Sequence, residues 1–147
     1  MRAFDTNVLI YATDSSAGTK HARSTALLAA ALTRHDHVIP TQVLAEYYGV
    51  VTRKLKLRPG AARGNVETWA QAALAVVAYD LADLRAAMEA SAKHNIAAWD
   101  ALIWAVCERA GVRTLVTEDF QDGRMLGRVT FLDPFNPANA ARLGLGG

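Results

Sequence analysis

Apolar positions along this chain follow two habits. Some form short unbroken runs closed by polar residues, and others recur every third or fourth position over longer stretches. The first habit marks buried strands, the second amphipathic helices. Residues 2–5 read as a short buried strand, and Val8, Leu9, Ile10 and Tyr11 open a loop or a helical turn. Residues 14–18, Asp-Ser-Ser-Ala-Gly, are a connection by composition. Thr19 is placed to cap a helix reaching about residue 34, with Leu27, Leu28 and Leu32 on one stripe. Residues 38–40 form a second strand, and Thr41 caps the next helix. That helix runs to about residue 57, because Leu44, Tyr47, Tyr48, Val51 and Leu55 keep helical spacing.

Arg58-Pro59-Gly60 breaks the pattern, and a further helix covers residues 66–74 before a third strand at 75–78. Residues 81–94 are helical with Asn95 as the stop, and 97–110 are helical again with Gly111 as terminator. Residues 112–117 and 129–132 are the last strands. Strands separated by helices predict an α/β fold with a central, mostly parallel sheet of roughly four to five short strands, covered by helices on both faces. The domain is expected to span residues 1–135. Residues 136–147 are an Ala/Gly-rich C-terminal tail that reads as loose. No repeat or linker marks a second domain.

A chain of 147 residues can bury one core without cross-links, and its 52% apolar and 20% charged content excludes disorder. The formal net charge of +2 points only weakly to a nucleic-acid partner. A single cysteine, Cys107, excludes an internal disulfide, fits a reducing cytosol and reads as a small packed thiol. The opening residues lack the apolar core of a signal peptide, and no run is long enough to span a bilayer. A soluble, cytoplasmic protein without membrane contact is the expectation.

Distribution changes the picture more than the total. Acidic residues stand inside apolar segments: Asp5 at the end of the first strand, Glu46 within Val-Leu-Ala-Glu-Tyr-Tyr, Asp100 between Trp99 and Trp104, and Asp119 after the strand ending Leu115-Val116-Thr117. A lone buried carboxylate costs several kcal/mol unless neutralised, so these acids suggest a shared cation. In a parallel sheet, ligands bind at the carboxyl ends of strands where the strand order reverses. Asp5 and Asp119 follow strands, while Glu46 and Asp100 lie in the opening turns of helices at the same end of the layer.

Each acid also has an ordinary explanation. Asp100 sits near a helix start, where the macrodipole favours it. Glu46 reads equally as a helix-edge acid paired with Arg53 two turns on. Asp5-Thr6-Asn7 has the chemistry of a turn, and so does Thr117-Glu118-Asp119, in which alternation makes Glu118 the solvated member. Four coincidences are needed to dismiss them all. Oxygen-only ligands select Mg²⁺ or Mn²⁺ over zinc, and His21, His35, His37 and His94 show no metal spacing. His35 and His37 flank a turn and read as exposed.

In their order and spacing, Asp5-Thr6-Asn7, Glu46 in a mid-chain helix, Trp99-Asp100-Ala101-Leu102 and Thr117-Glu118-Asp119-Phe120-Gln121-Asp122-Gly123 resemble the PIN domain, and within it the VapC-type toxins of bacterial toxin–antitoxin pairs. The resemblance extends to about Phe135. It implies a metal-dependent endoribonuclease in which Asp5 and Asp100 are principal Mg²⁺ ligands. Glu46 and Asp119 would complete the pocket directly or through water, and Asn7 and Thr117 would orient the carboxylates. It also implies an RNA substrate, a cognate antitoxin covering the acidic groove, and a homodimer. A housekeeping RNA-processing nuclease with the same site fits equally.

Basic residues at the rim would meet the RNA backbone. Arg53 and Lys54, with Lys56 and Arg58, form one cluster, which reads equally as a solvated face; Arg124 and Arg128 form another near Asp119. Tyr11, Tyr47, Tyr48 and Trp69 are aromatic candidates for a partner surface or for the core. A phosphatase of the haloacid-dehalogenase type is disfavoured, because it wants a second Asp where Asn7 stands and a Lys after a late strand. A receiver-type module lacks its central phosphoacceptor and Lys. A non-catalytic PIN module should have lost an acid, and all four are present.

Overall fold

A computed structural model describes residues 1–145. Residues 146 and 147 of the tail lie outside the described residues. Three-residue strands build the sheet: β1 (Arg2–Phe4), β2 (Val38–Pro40), β3 (Ala75–Val77) and β4 (Thr114–Val116), followed by β5 (Met125–Leu126) and β6 (Val129–Leu132). Pairing is parallel for β1 with β4, β4 with β6 and β2 with β3, and antiparallel only in the β5–β6 hairpin. A bridge between Arg2 and His37 joins the two sections, giving the order β3-β2-β1-β4-β6-β5.

Helices α1 (Thr6–Thr13), α2 (Thr19–Arg34), α3 (Thr41–Arg53), α4 (Pro59–Ala72), α5 (Leu81–His94) and α6 (Ala98–Arg109) connect the strands. Phe4, Leu9, Leu27, Val43, Tyr47, Ile103, Leu115 and Phe131 form the centre of the core. Successive crossovers place β2 and then β3 on one side of β1, whereas the next places β4 on its other side. The strand order therefore reverses between β1 and β4, which makes their carboxyl ends the natural place for a ligand.

Several local expectations are corrected. The apolar stretch after Asp5 is a full helix, α1, with Asp5 as its N-cap. Gly18 and Pro40, not Thr19 and Thr41, occupy the cap positions of α2 and α3. Helix α3 ends at Arg53, and Pro59 begins α4 earlier than residue 66, in the first-turn position where its missing N–H loses nothing. Tyr47 and Trp69 are core residues, with rings 4.7 Å apart edge to face, while Tyr48 is exposed. His37 is buried against Phe4 rather than exposed.

Helices α5 and α6 pack as an antiparallel pair held by Arg109, whose Nε and Nη2 donate to Asp83 at 2.9 and 2.8 Å. Asp83 also closes a capping box with Asp80. The tail is not loose over its described part. Leu143 is 1% exposed and joins the core, its carbonyl accepts from Arg2 Nη1 at 3.2 Å, and Asn139 donates to Asp122 at 2.8 Å. Replacing Leu143 with Ala is expected to lower stability by about 2–4 kcal/mol in urea unfolding. A change below about 0.5 kcal/mol, the range of ordinary surface substitutions, would show that the tail does not pack.

Candidate metal centre

Strand β1 ends one residue before Asp5, whose backbone N–H continues the ladder to Val116 O at 2.9 Å. That pairing pins the Asp5 side chain beside the end of β4. Its Oδ1 accepts from Thr6 N at 2.7 Å and its Oδ2 from the Thr117 hydroxyl at 2.7 Å. Thr117 Oγ1 in turn accepts from Asp119 N at 3.0 Å, which fixes the turn that presents Asp119. From the other side, Asn7 Nδ2 donates to Asp119 Oδ2 at 3.0 Å.

Asp100 enters from the first turn of α6. One carboxylate oxygen from each of Asp5, Asp100 and Asp119 lies within 4.8 Å of the others. Glu46, on the second turn of α3, stands beside this trio instead of inside it. The Thr6 hydroxyl donates to its Oε2 at 2.7 Å, and Gln42 Nε2 donates to its Oε1 at 2.9 Å. The same Gln42 amide reaches Trp99 O at 3.2 Å, tying α3 to the start of α6. Thr6 and Gln42 thus act at the site although sequence reasoning passed over them. The hydroxyl beside Asp5 and the i, i+4 spacing of Gln42 to Glu46 were the available signals.

Burial raises Asp5, 3% exposed, from the ordinary 3.8 to about 7, against the hydrogen bonds from Thr117 and Thr6; the charges of Asp119 and Asp100 add to the rise. Asp100 is raised to about 6 by burial first, then by the charges of Asp119 and Glu46. Asp119, exposed at its outer side, is also raised, by desolvation where it meets the pocket and by the Glu118 charge. Among the described residues, none of these acids is ion-paired with Lys, Arg or His. Asn7 Oδ1 is buried with no donor.

The donor set fits a hard divalent cation. It consists of closely spaced carboxylates held by neutral donors, with a spare amide oxygen and no thiolate or imidazole in the cluster.

Other residues fall elsewhere. Glu118 is not solvated: it takes Lys20 Nζ at 2.7 Å and the Tyr11 hydroxyl at 2.5 Å. Arg53 and Lys54 are exposed at the far end of α3 from the acids. Arg124 follows the loop that carries Asp119. Arg128 binds Glu108 through Nε at 3.1 Å, and Glu108 lies eight residues beyond Asp100 on α6, ~12 Å along the axis. Arg128 is therefore not at the acidic pocket. Cys107 is buried with its thiol pushed up by desolvation, as a packed residue. No helix among the described residues is long and apolar enough to cross a membrane.

Comparison with known proteins adds a family and a fold. The family model described as PIN domain matches residues 3–124. No curated protein matches by sequence. Among solved structures, the chain is similar to VapC20 of Mycobacterium tuberculosis, a sarcin-ricin loop cleaving toxin, with TM-score 0.60 and 16% identity over 78% of this chain and 87% of that one. It is also similar to VapBC2 of Rickettsia felis, bound to a DNA fragment from their promoter, with TM-score 0.61 and 17% identity over 88% and 96%. At such identities the likeness is one of fold.

The raised carboxyls set a pH dependence. A carboxyl with a higher pKa folded than unfolded binds its proton more tightly in the folded chain, so stability falls as pH climbs from 3.8 toward about 7 and levels off above. In chelator, Asp5→Asn is expected to be more stable than wild type at pH 8, by on the order of 3 kcal/mol, and close to it at pH 4. Added Mg²⁺ should stabilise wild type and leave Asp5→Asn nearly unmoved. Unfolding curves that keep the same gap at both pH values would contradict this account.

Proposed function

Because the chain belongs to the PIN domain family, we propose that it is a divalent-metal-dependent endoribonuclease and the toxin of a toxin–antitoxin pair. The observation that carries the reading is the meeting of Asp5, Asp100 and Asp119 at the reversal of strand order, with no basic side chain paired to them among the described residues. The fold shared with VapC20, a sarcin-ricin loop cleaving toxin, supports RNA as substrate. The likeness to VapBC2 supports an antitoxin as the protein partner. A homodimer is part of the same reading.

Asp5 and Asp100 would hold Mg²⁺ or Mn²⁺, with Asp119 and Glu46 completing the set directly or through water. A bound divalent ion supplies the positive charge that lets phosphate approach the acids, acidifies water and offsets charge developing in an in-line displacement. The chain's own groups set the geometry. Thr117 and the Thr6 N–H hold both oxygens of Asp5, so that carboxylate cannot rotate away. Asn7 steadies Asp119 by donating to it, a bond that favours the ionised form. Thr6 and Gln42 hold both oxygens of Glu46. Because every donor is neutral, the charge that these acids gain on losing their raised protons is left for a cation.

The backbone of the RNA would be met by Arg124, beyond the loop that carries Asp119, and by Arg53 and Lys54 only where the strand runs on along α3 to its far end; such phosphate contacts position the strand without reading sequence. Arg128, engaged by Glu108, contributes less.

Purified protein incubated with structured RNA is expected to cleave it with Mg²⁺ and to stop in excess chelator. Asp5→Ala and Asp100→Ala should each lose activity by about a hundredfold or more while remaining folded, since mutual repulsion of the carboxylates is relieved. Cleavage that survives chelation, or that either variant retains, would defeat the assignment.

A further inference from the structure

Beside the acidic pocket lies a cavity of about 520 Å³ between α3, the β3–α5 connection and the start of α6. Its walls include Thr41, Gln42 and Glu46 on one side and Tyr79 and Trp99 on the other. We propose that this cavity is a nucleobase subsite, in which Trp99 and Tyr79 take an unpaired base of the RNA next to the phosphate addressed by the acids. This rests on the ribonuclease reading and adds to it the side chains of this chain that seat the base beside the cut.

Trp99 and Tyr79, like Tyr48 at a separate cavity, stand apart from the packed aromatic residues, and of the three only they line this cavity. Trp69 packs on Tyr47, and Trp104 donates its indole N–H to Leu126 O at 3.0 Å. Phe120 stacks on Phe131, and Tyr11 meets Phe135 edge to face. Trp99 is 66% exposed and Tyr79 48%, and among the described residues neither ring packs on another ring or uses its polar group. Exposing an indole forfeits a large apolar burial that the fold takes elsewhere.

The indole is nevertheless anchored to the site. Its backbone carbonyl is held by Gln42, and the next residue is Asp100. Glu46 belongs to the cavity wall and, through Thr6, to the acids. A ligand with phosphate at Asp5, Asp100 and Asp119 therefore carries its adjoining group to the cavity mouth, and in RNA that group is a base.

The lining also says how the base is read. Ala45 and Ala78 supply small apolar surface, and both Gln42 amide hydrogens are directed to Glu46 and Trp99 O, leaving Gln42 Oε1, the Thr41 and Tyr79 hydroxyls and the Trp99 indole N–H as its free polar groups. Such a site stacks a base between aromatic faces and offers polar groups to its edge, which a base in a pair has already used.

Two readouts test this. Adenosine, which has no phosphate and so is indifferent to the metal, should quench the intrinsic fluorescence of wild type saturably, and Tyr79→Ala should weaken that binding about tenfold. In cleavage of a single-stranded oligoribonucleotide, Trp99→Leu should raise KM about tenfold or more with a smaller effect on kcat, and Trp99→Phe should recover most of the loss. An abasic nucleotide beside the cleaved bond should impair wild type by the same factor and Trp99→Leu no further. Cleavage by wild type without any adenosine quench, or equal abasic penalties in wild type and Trp99→Leu, overturns the base site and leaves the nuclease reading standing. Quenching by a wild type that cleaves no RNA does the reverse. A Trp99→Leu chain with unchanged KM but lost self-association or lost antitoxin binding assigns the cavity to a protein partner and overturns the proposal.

Discussion

Placing an acid in the interior with only neutral donors around it is the constraint on which this site depends. Asp5 is fixed by backbone pairing of β1 with β4, and its two oxygens are taken by a hydroxyl and an amide. Neither donor carries charge, so the penalty of burial is only partly offset and the proton is held to about pH 7. Two further carboxylates within 4.8 Å make the arrangement self-repelling once ionised. The rigid parallel sheet beneath holds the groups together regardless. That is a pattern expected where function, rather than folding, has chosen the residues.

Asp83 shows the other way to bury an acid. It is as little exposed as Asp5 but lies near the surface, where the half-exposed Arg109 covers it, donates to both its oxygens and holds its pKa below the ordinary carboxylate range. That acid serves the α5–α6 pair and has no capacity left for a ligand. The two residues share a chemical type and a low exposure, and their depth and partners divide them into brace and binding group. Glu118 belongs with Asp83: Lys20 and Tyr11 consume it, although it adjoins Asp119 in sequence.

The layered architecture was legible because apolar runs and helical spacing alternate without interruption, and α5 with its Asn95 stop follows the pattern to the residue. The aspartate trio was legible for a topological reason: two follow strands that turn out to be neighbours, and the third begins the helix feeding the second of these strands. What escaped lay where periodicity carries no information. An unbroken apolar stretch does not distinguish α1 from a loop, and two-residue β5 is too short to produce a pattern. Strand alternation misassigned Glu118 because β4 ends at Val116, so the rule was applied past its strand. Nearness in sequence misplaced Arg128, since the β5–β6 hairpin swings it over to Glu108. Trp99 lends Asp100 less apolar cover than its adjacency suggested, because its ring turns outward.

Asp122 has a bearing on how such a site endures. It accepts from Asp133 N, Asn136 Nδ2 and Asn139 Nδ2, binding the last stretch of chain to the loop that starts with Asp119. That loop is therefore moored at both margins, by Thr117 at one and by the C-terminal segment at the other. A segment with no chemistry of its own thus acts as a keel for the acidic pocket. Prying the terminus loose would therefore cost twice, freeing the loop that presents Asp119 and withdrawing Leu143 from the core beside β1.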